Sequence, residues 1–139
     1  REDLIDQVLE TELAKVRMPP TGTSEGRLEA TLTALWYALV ARPGLATHFL
    51  PRTDWTGEAP RLGTEITDVI AAARPDDGHA AELMGALLAY TIGSAAMEQP
   101  VGIELAEPMF HHGLAVFLER LELEPAPGKF TVMRDWPSL

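Results

Sequence analysis

The chain has 139 residues, the size of one domain, and 46% of them are hydrophobic and 23% charged. These values are ordinary for a soluble globular protein and too apolar for a disordered one. The formal net charge of −10 predicts a surface that repels nucleic acid and anionic membranes. Because the chain has no cysteine, disulfide bonds, thiolate nucleophiles and cysteine-ligated zinc sites are all excluded.

The N-terminus carries no recognisable targeting signal. Arg1 is not a start methionine, and Arg-Glu-Asp does not resemble the basic beginning of a signal peptide. The sequence also has no internal repeat and no low-complexity segment. We therefore expect this chain to be part of a longer cytoplasmic protein.

Apolar residues recur at α-helical spacing along most of the chain, so we predict an all-α fold. Proline punctuates that pattern: Pro19-Pro20 ends the first helix, and Pro43 suits the first turn of a short one. We expect a bundle of six helices at residues 3–17, 24–41, 43–50, 60–74, 76–98 and from 107 onward. We also expect a connector at 51–60, a loop at 99–107 and an extended tail at 125–139.

The last two predicted helices are unusually apolar. Residues 84–97 contain no charge, yet this stretch is shorter than the about 20 residues that span a bilayer, so we expect a deeply buried core helix. Apolar or small side chains occupy nearly its whole circumference, and the final helix is similar. Because such a helix has to be covered on more than one side, these two helices predict a partner.

Signatures of common enzymes are absent from the sequence. There is no G-x-S-x-G elbow, no glycine-rich phosphate loop after a strand and no H-E-x-x-H motif. The adjacent His111 and His112 point about 100° apart on a helix and cannot chelate one ion from one face. We therefore expect no enzymatic activity, no metal site and no cofactor.

Four short motifs follow one another in the order found in TetR-family transcriptional regulators. The N-terminal Arg-Glu-Asp-Leu-Ile-Asp-Gln-Val-Leu resembles the segment after that family's helix-turn-helix domain, and Arg-Pro-Gly-Leu-Ala at 42–46 resembles the turn into a short helix. The stretch 90–99 resembles the penultimate helix with its Gly-x-x-x-x-Glu ending, and Phe-His-His-Gly-Leu at 110–114 resembles the opening of the last. The resemblance covers residues 1–124 and is greatest to the tetracycline-repressor branch.

This resemblance implies that residues 1–124 form the C-terminal effector-binding and dimerisation domain of a transcriptional repressor. The N-terminal helix-turn-helix domain would be absent from this chain, and operator DNA would be bound only through it. The implied partners are a second copy of the chain and a small, mostly apolar effector, with no membrane. Effector binding would alter the affinity of the missing domain for DNA.

Small residues at spacings of three or four on the last two helices let two backbones approach closely. They predict a four-helix interface between two copies related by a two-fold axis. The alternative is that these helices form the core of a monomeric bundle. The predicted dimer interface consists of Ala86, Ala89, Gly93, Ala96, Phe110, Gly113, Leu114, Phe117 and Leu121.

A mostly apolar cavity between helices two to five is the predicted effector site, although each of its residues also suits an ordinary core. By the same resemblance, His48 and Glu98 match two positions of a magnesium-chelate site in tetracycline repressors, but Pro51 replaces the threonine that usually completes it. The predicted ligand-binding residues are Trp36, Leu39, Val40, His48, Phe49, Trp55, Ile66, Ile70, Met84, Leu87, Leu88 and Thr91.

Two other functions remain open from the sequence. One is a stand-alone helical dimer that binds protein partners and has no small-molecule site. The other is a small helical enzyme, for which a carboxylate–histidine pair in a cleft would be the sign.

Overall fold

The computed structural model describes residues 2–49 and 56–124, and over these ranges it confirms the all-α fold, with no strand. Some predictions concern residues outside these ranges and are not addressed by the structure. They are the effector residue Trp55, the substitution at Pro51 and the extended tail at 125–139. The helices are α1 (Glu2–Ala14), α2 (Ser24–Val40), α3 (Leu45–Phe49), α4 (Glu58–Ala73), α5 (Ala80–Ala96), α6 (Glu98–Val101) and α7 (Ile103–Leu121).

The local sequence explains where several helices begin and end. The Thr23 hydroxyl accepts a hydrogen bond from the backbone N–H of Gly26 at 3.0 Å and so caps the start of α2. At the end of α5, Met97 keeps helical backbone angles, and α6 therefore continues α5 almost without a break. Counted together, α5 and α6 make the bundle six-helical, as predicted.

The predicted loop at 99–107 is wrong. Gly102 adopts a positive φ of 86°, which lets the chain turn within one residue, and α7 begins directly after it. Pro108, which we expected at the start of the last helix, lies inside α7. The start of α5 was also placed too early, because residues 74–79 form a turn that contains Gly78 with a positive φ of 76° and an Arg74–Asp77 ion pair.

A single apolar core fills the bundle, and α5 lies at its centre. This helix packs against α2, α3, α4 and α7, while α1 packs against α2 and α4. The two largest fully buried side chains, Trp36 of α2 and Phe110 of α7, stack with their ring centroids 5.1 Å apart. These contacts fix α7 beside α2 on one side and beside α5 on the other.

The expectation that α5 is deeply buried is wrong. Its buried positions, Leu87, Thr91, Ile92 and Ala95, form one face, whereas Gly85, Ala86 and Ala89 are exposed. Residues 80–101 are long and apolar enough to cross a membrane: an 18-residue window within them has a mean hydropathy of 1.3, and only 22% of that window is buried. Length and composition alone are weak evidence for a membrane span. What the packing does establish is that α5 has an apolar side that no other helix of the described residues covers.

Candidate functional site

An apolar groove lies on the surface between α5 and α7. Its volume is about 840 Å³, and its described lining includes Ala89 and Gly93 of α5, Met97 directly after α5, and Met109 and His112 of α7. None of the described residues that line it carries a permanent charge. Met97 is 46% exposed and Met109 49% exposed, so large apolar side chains here are in contact with water.

The exposed apolar surface extends beyond the groove along α7. Leu105 is 53% exposed and Val116 45% exposed. Leu105, Met109 and Val116 fall on one side of α7 because residues four and seven positions apart share a helix face. We call the combined surface of the groove, Leu105 and Val116 the α5–α7 face.

The predicted interface residues divide between the α5–α7 face and the interior. Ala89, Gly93 and Gly113 line the groove, and Ala86 is exposed on α5. Ala96 lines a different cleft, and Phe117 packs beside Tyr90 with ring centroids 6.2 Å apart. The remaining members are buried in the core of this same chain and are not available to a partner, which corrects the prediction for Phe110, Leu114 and Leu121.

Gly113 allows a close approach, but to a residue of its own chain. A Cβ atom at this position would overlap the phenol oxygen of Tyr90. That phenol donates a hydrogen bond to the backbone carbonyl of Phe110 at 3.0 Å. Gly113 is therefore needed for the packing of α5 against α7, which the sequence-based interpretation assigned to a second copy.

The predicted effector residues do not all lie together. Trp36, Ile66, Ile70, Leu87 and Thr91 are fully buried in the core, where the Thr91 hydroxyl donates to the Leu87 carbonyl at 2.9 Å. The buried indole nitrogen of Trp36 has no hydrogen-bond acceptor among the described residues, which costs about 1–3 kcal/mol. The expectation that these five residues face a shared cavity is not met, because they pack against one another and their neighbours.

Two surface clefts contain other members of the predicted set. Phe49, Met84 and Leu88 line a cleft of about 400 Å³ between α3, α4 and α5, which we call the α4 cleft. Leu39 and Val40 line a separate cleft of about 370 Å³ near the end of α5, where Glu98 also lies. The α4 cleft therefore contains three of the predicted effector residues, whereas the cleft near the end of α5 contains two.

His48 connects helices rather than facing either cleft. Its Nε2 atom lies 2.7 Å from the Asp6 carboxylate, which ties α3 to α1. Among the described residues, no three His, Cys, Asp or Glu side chains lie close enough to hold a metal ion.

Arg61 forms a second connection to α1, which the sequence interpretation missed. Its guanidinium donates to the carbonyl oxygens of Leu13 at 3.1 Å and Val16 at 2.9 Å, just where α1 ends. It also donates to Glu58 and Glu65. Burial opposes the charged form, but the bonds to the two carboxylates outweigh it and raise the pKa of Arg61. The sequence did contain a pattern that predicts ion pairs along a helix: acidic residues stand three positions before Arg61 and four positions after it.

Comparisons of this chain with protein-family models, curated proteins and solved structures found no match. A function therefore has to be argued from the residues and geometry of this chain. The two surfaces that invite a functional explanation are the α5–α7 face and the α4 cleft.

Proposed function

We propose that this chain is the effector-binding and dimerisation domain of a TetR-type transcriptional repressor. In this proposal a small molecule alters the DNA affinity of a helix-turn-helix domain that belongs to the same cytoplasmic protein but not to this chain. The order of the sequence motifs is the reason for proposing this family. The observation that carries the proposal is the α5–α7 face, because its exposed apolar side chains favour a dimer. The chain is not proposed to be an enzyme.

The α5–α7 face suits a second copy of the same chain. Burying apolar surface gains about 25 cal/mol per Å², and here several large side chains from two adjacent helices remain in water. Two acidic subunits, each of charge −10, repel one another, so an interface between them is best placed where charges are absent. The groove meets this condition, and two α5–α7 pairs packed about a two-fold axis would form a four-helix interface.

The α4 cleft is the proposed effector site. Its volume falls within the about 300–1,000 Å³ typical of small-molecule sites, and apolar side chains dominate its lining. Its polar lining consists of Thr64, Thr67, whose hydroxyl donates to the Gly63 carbonyl at 2.7 Å, and the carboxylate of Asp68. This combination favours a small, mostly apolar effector with one or two polar atoms.

Two of the three helices that flank this cleft, α3 and α4, are bonded to α1. His48 of α3 bonds to Asp6, and Arg61 of α4 bonds to the carbonyl oxygens of Leu13 and Val16. A third link is the Glu10 carboxylate, which accepts from the backbone N–H of Glu58 at 2.7 Å. An effector that moves α3 or α4 would therefore move α1, the helix that leads to the DNA-binding domain in this proposal.

The effector acts only through a difference in affinity between two arrangements of the domain. Operator half-sites lie one duplex turn apart, ~34–36 Å, so a small shift in α1 of both subunits is enough to change DNA binding.

The second candidate is a stand-alone helical dimer that binds protein partners and has no small-molecule site. The filled core favours it, because Trp36, Ile66 and Leu87 are fully buried where a central cavity was expected. Both candidates share the dimer and differ in the role of the α4 cleft.

Sedimentation velocity at micromolar concentration tests the dimer. We expect the wild-type chain to sediment as a dimer and Met109→Lys to sediment as a folded monomer, because the substitution places two charges in the interface. Leu4→Lys is the matched control, since Leu4 is 64% exposed on α1 and does not line the groove. A wild-type monomer, or equal behaviour of the two variants, would refute the proposal.

Thermal unfolding in the presence of small planar apolar compounds separates the two candidates. A ligand of the α4 cleft should raise the melting temperature of the wild-type chain, and Gly63→Leu should abolish this effect, because a side chain at 63 points toward Met84 in the cleft. Gly85→Leu is the control, since a Cβ there meets open space. Absence of any such ligand in a broad screen favours the protein-interaction module.

A further inference from the structure

Three side chains with metal-binding atoms meet where α2 lies beside α7. The phenol of Tyr37 donates a hydrogen bond to the Glu107 carboxylate, and the same phenol oxygen lies 3.1 Å from Nε2 of His111. Glu107 and His111 are four residues apart on α7 and therefore share one face of that helix. One phenol, one carboxylate and one imidazole thus converge from two helices.

The cluster is open to solvent, and its aromatic rings are held in position. Tyr37 is 40% exposed. Its ring packs edge-on against Trp36 at 5.1 Å, and the His111 ring lies 5.3 Å from the buried Phe110 ring. A cation can therefore reach Tyr37 and His111 without opening the core.

The electrostatic environment of the cluster favours a positive charge. Glu107 forms no ion pair with lysine or arginine in the part of the chain that the structure describes, and its carboxylate is satisfied by the neutral phenol of Tyr37.

We propose that Tyr37, Glu107 and His111 form a binding site for a divalent transition-metal cation such as Zn²⁺. Oxygen and nitrogen ligands bind Zn²⁺ at about 2.0–2.2 Å, which places two ligands of a tetrahedral site about 3.3 Å apart. The separation of 3.1 Å between the Tyr37 oxygen and His111 Nε2 is close to that value. The Glu107 carboxylate has to move outward, and water completes the tetrahedron.

Binding is an exchange of a proton for the metal. The O–H bond of Tyr37 breaks, the proton leaves to the buffer, and the phenolate oxygen donates a lone pair to the cation. No electron is transferred. The imidazole ligand selects Zn²⁺ and its transition-metal neighbours over Mg²⁺, which prefers oxygen ligands alone. The bound cation links α2 to α7, and this inference does not depend on the proposed regulatory function.

Isothermal titration calorimetry of the untagged chain with ZnCl₂ tests the site. We expect one Zn²⁺ per chain, a loss of affinity of tenfold or more in His111→Ala, and unchanged binding in His112→Ala. His112 is the matched control because it is the neighbouring exposed histidine and takes no part in the cluster. Circular dichroism checks that both variants keep their helix content.

Ultraviolet difference absorbance of the phenolate gives a second readout. Zinc should produce a phenolate signal in the wild-type chain at mildly alkaline pH, together with release of about one proton per bound ion. Tyr37→Phe should lose this signal, whereas Tyr90→Phe should retain it. Absence of saturable binding, equal affinity in His111→Ala, or binding without a phenolate signal would each overturn the proposal.

Discussion

The phenol of Tyr90 occupies the space that a side chain at Gly113 would need. A Cβ at 113 would overlap that oxygen, whereas a Cβ at Gly93, on the neighbouring turn of α5, would meet no atom within 4 Å. One glycine of the predicted interface is thus used inside the chain, and the other is free to contact a partner.

Gly113→Ala should destabilise the fold. The new methyl group displaces Tyr90 and its hydrogen bond to the Phe110 carbonyl, and overpacking of this kind costs about 1–3 kcal/mol. Urea denaturation measures the loss in the free energy of unfolding. Gly85→Ala, in open space on α5, should instead be neutral or stabilising, because alanine is the better helix former. Equal stability of the two variants would contradict this packing.

Gly93→Leu should weaken dimerisation by tenfold or more and leave the subunit folded. The substitution places a bulky side chain in the groove, where the proposed partner helix approaches, yet it meets no atom within 4 Å in the single chain. Sedimentation equilibrium gives the dissociation constant. Gly85→Leu makes the same change on the same helix outside the groove and should dimerise like the wild-type chain.

Arg61→Met should lower the free energy of unfolding by about 2–3 kcal/mol. Hydrogen bonds to charged groups contribute about 1.5–3 kcal/mol, and the substitution removes the guanidinium from the carbonyl oxygens of Leu13 and Val16. Leu13 keeps the bond from the Val16 backbone N–H, so the Val16 carbonyl loses more. Hydrogen exchange should show the largest loss of protection at the end of α1. Arg120→Met, at an exposed position of α7, serves as the control and should have little effect.

The fold should lose stability in acid partly through Glu12. The hydrogen bond from Lys15 lowers the pKa of this carboxyl, and the charges of Lys15 and Arg42 add to it against the opposing effect of burial. A lowered folded-state pKa gives stability that is present above the ordinary carboxyl value of 4.5 and disappears as the pH falls through the folded value. The stability difference between wild type and Glu12→Gln should therefore shrink below that pH, as urea denaturation across the acid range will show.

Glu107→Gln should lower the pKa of Tyr37 toward the ordinary phenol value of 10.0, because the hydrogen bond to the carboxylate and its charge raise it in the wild-type chain. Tyr90, whose pKa is raised by burial, should be unaffected. Spectrophotometric titration resolves the two phenols. Glu104→Gln removes an exposed acid from the same helix and should leave both titrations unchanged.

The sequence by itself determined the all-α fold and most helix positions. Spacing of apolar residues and breaks at Pro19-Pro20 or Gly44 are local properties, and local backbone preferences decide where a helix can begin and end. The misplaced loop at 99–107 has a local cause as well. A single Gly102 was sufficient for the turn, and Pro108 is accommodated within α7.

The tertiary structure alone decided which apolar side chains are covered. Helical spacing cannot distinguish Phe110, which stacks on Trp36 inside the chain, from Met109, which lies half exposed beside it. Likewise, nothing in the sequence joins Tyr37 to Glu107 and His111, or Arg61 to the end of α1. These contacts depend on how the helices pack, and packing is set by the shapes of side chains that lie far apart along the chain.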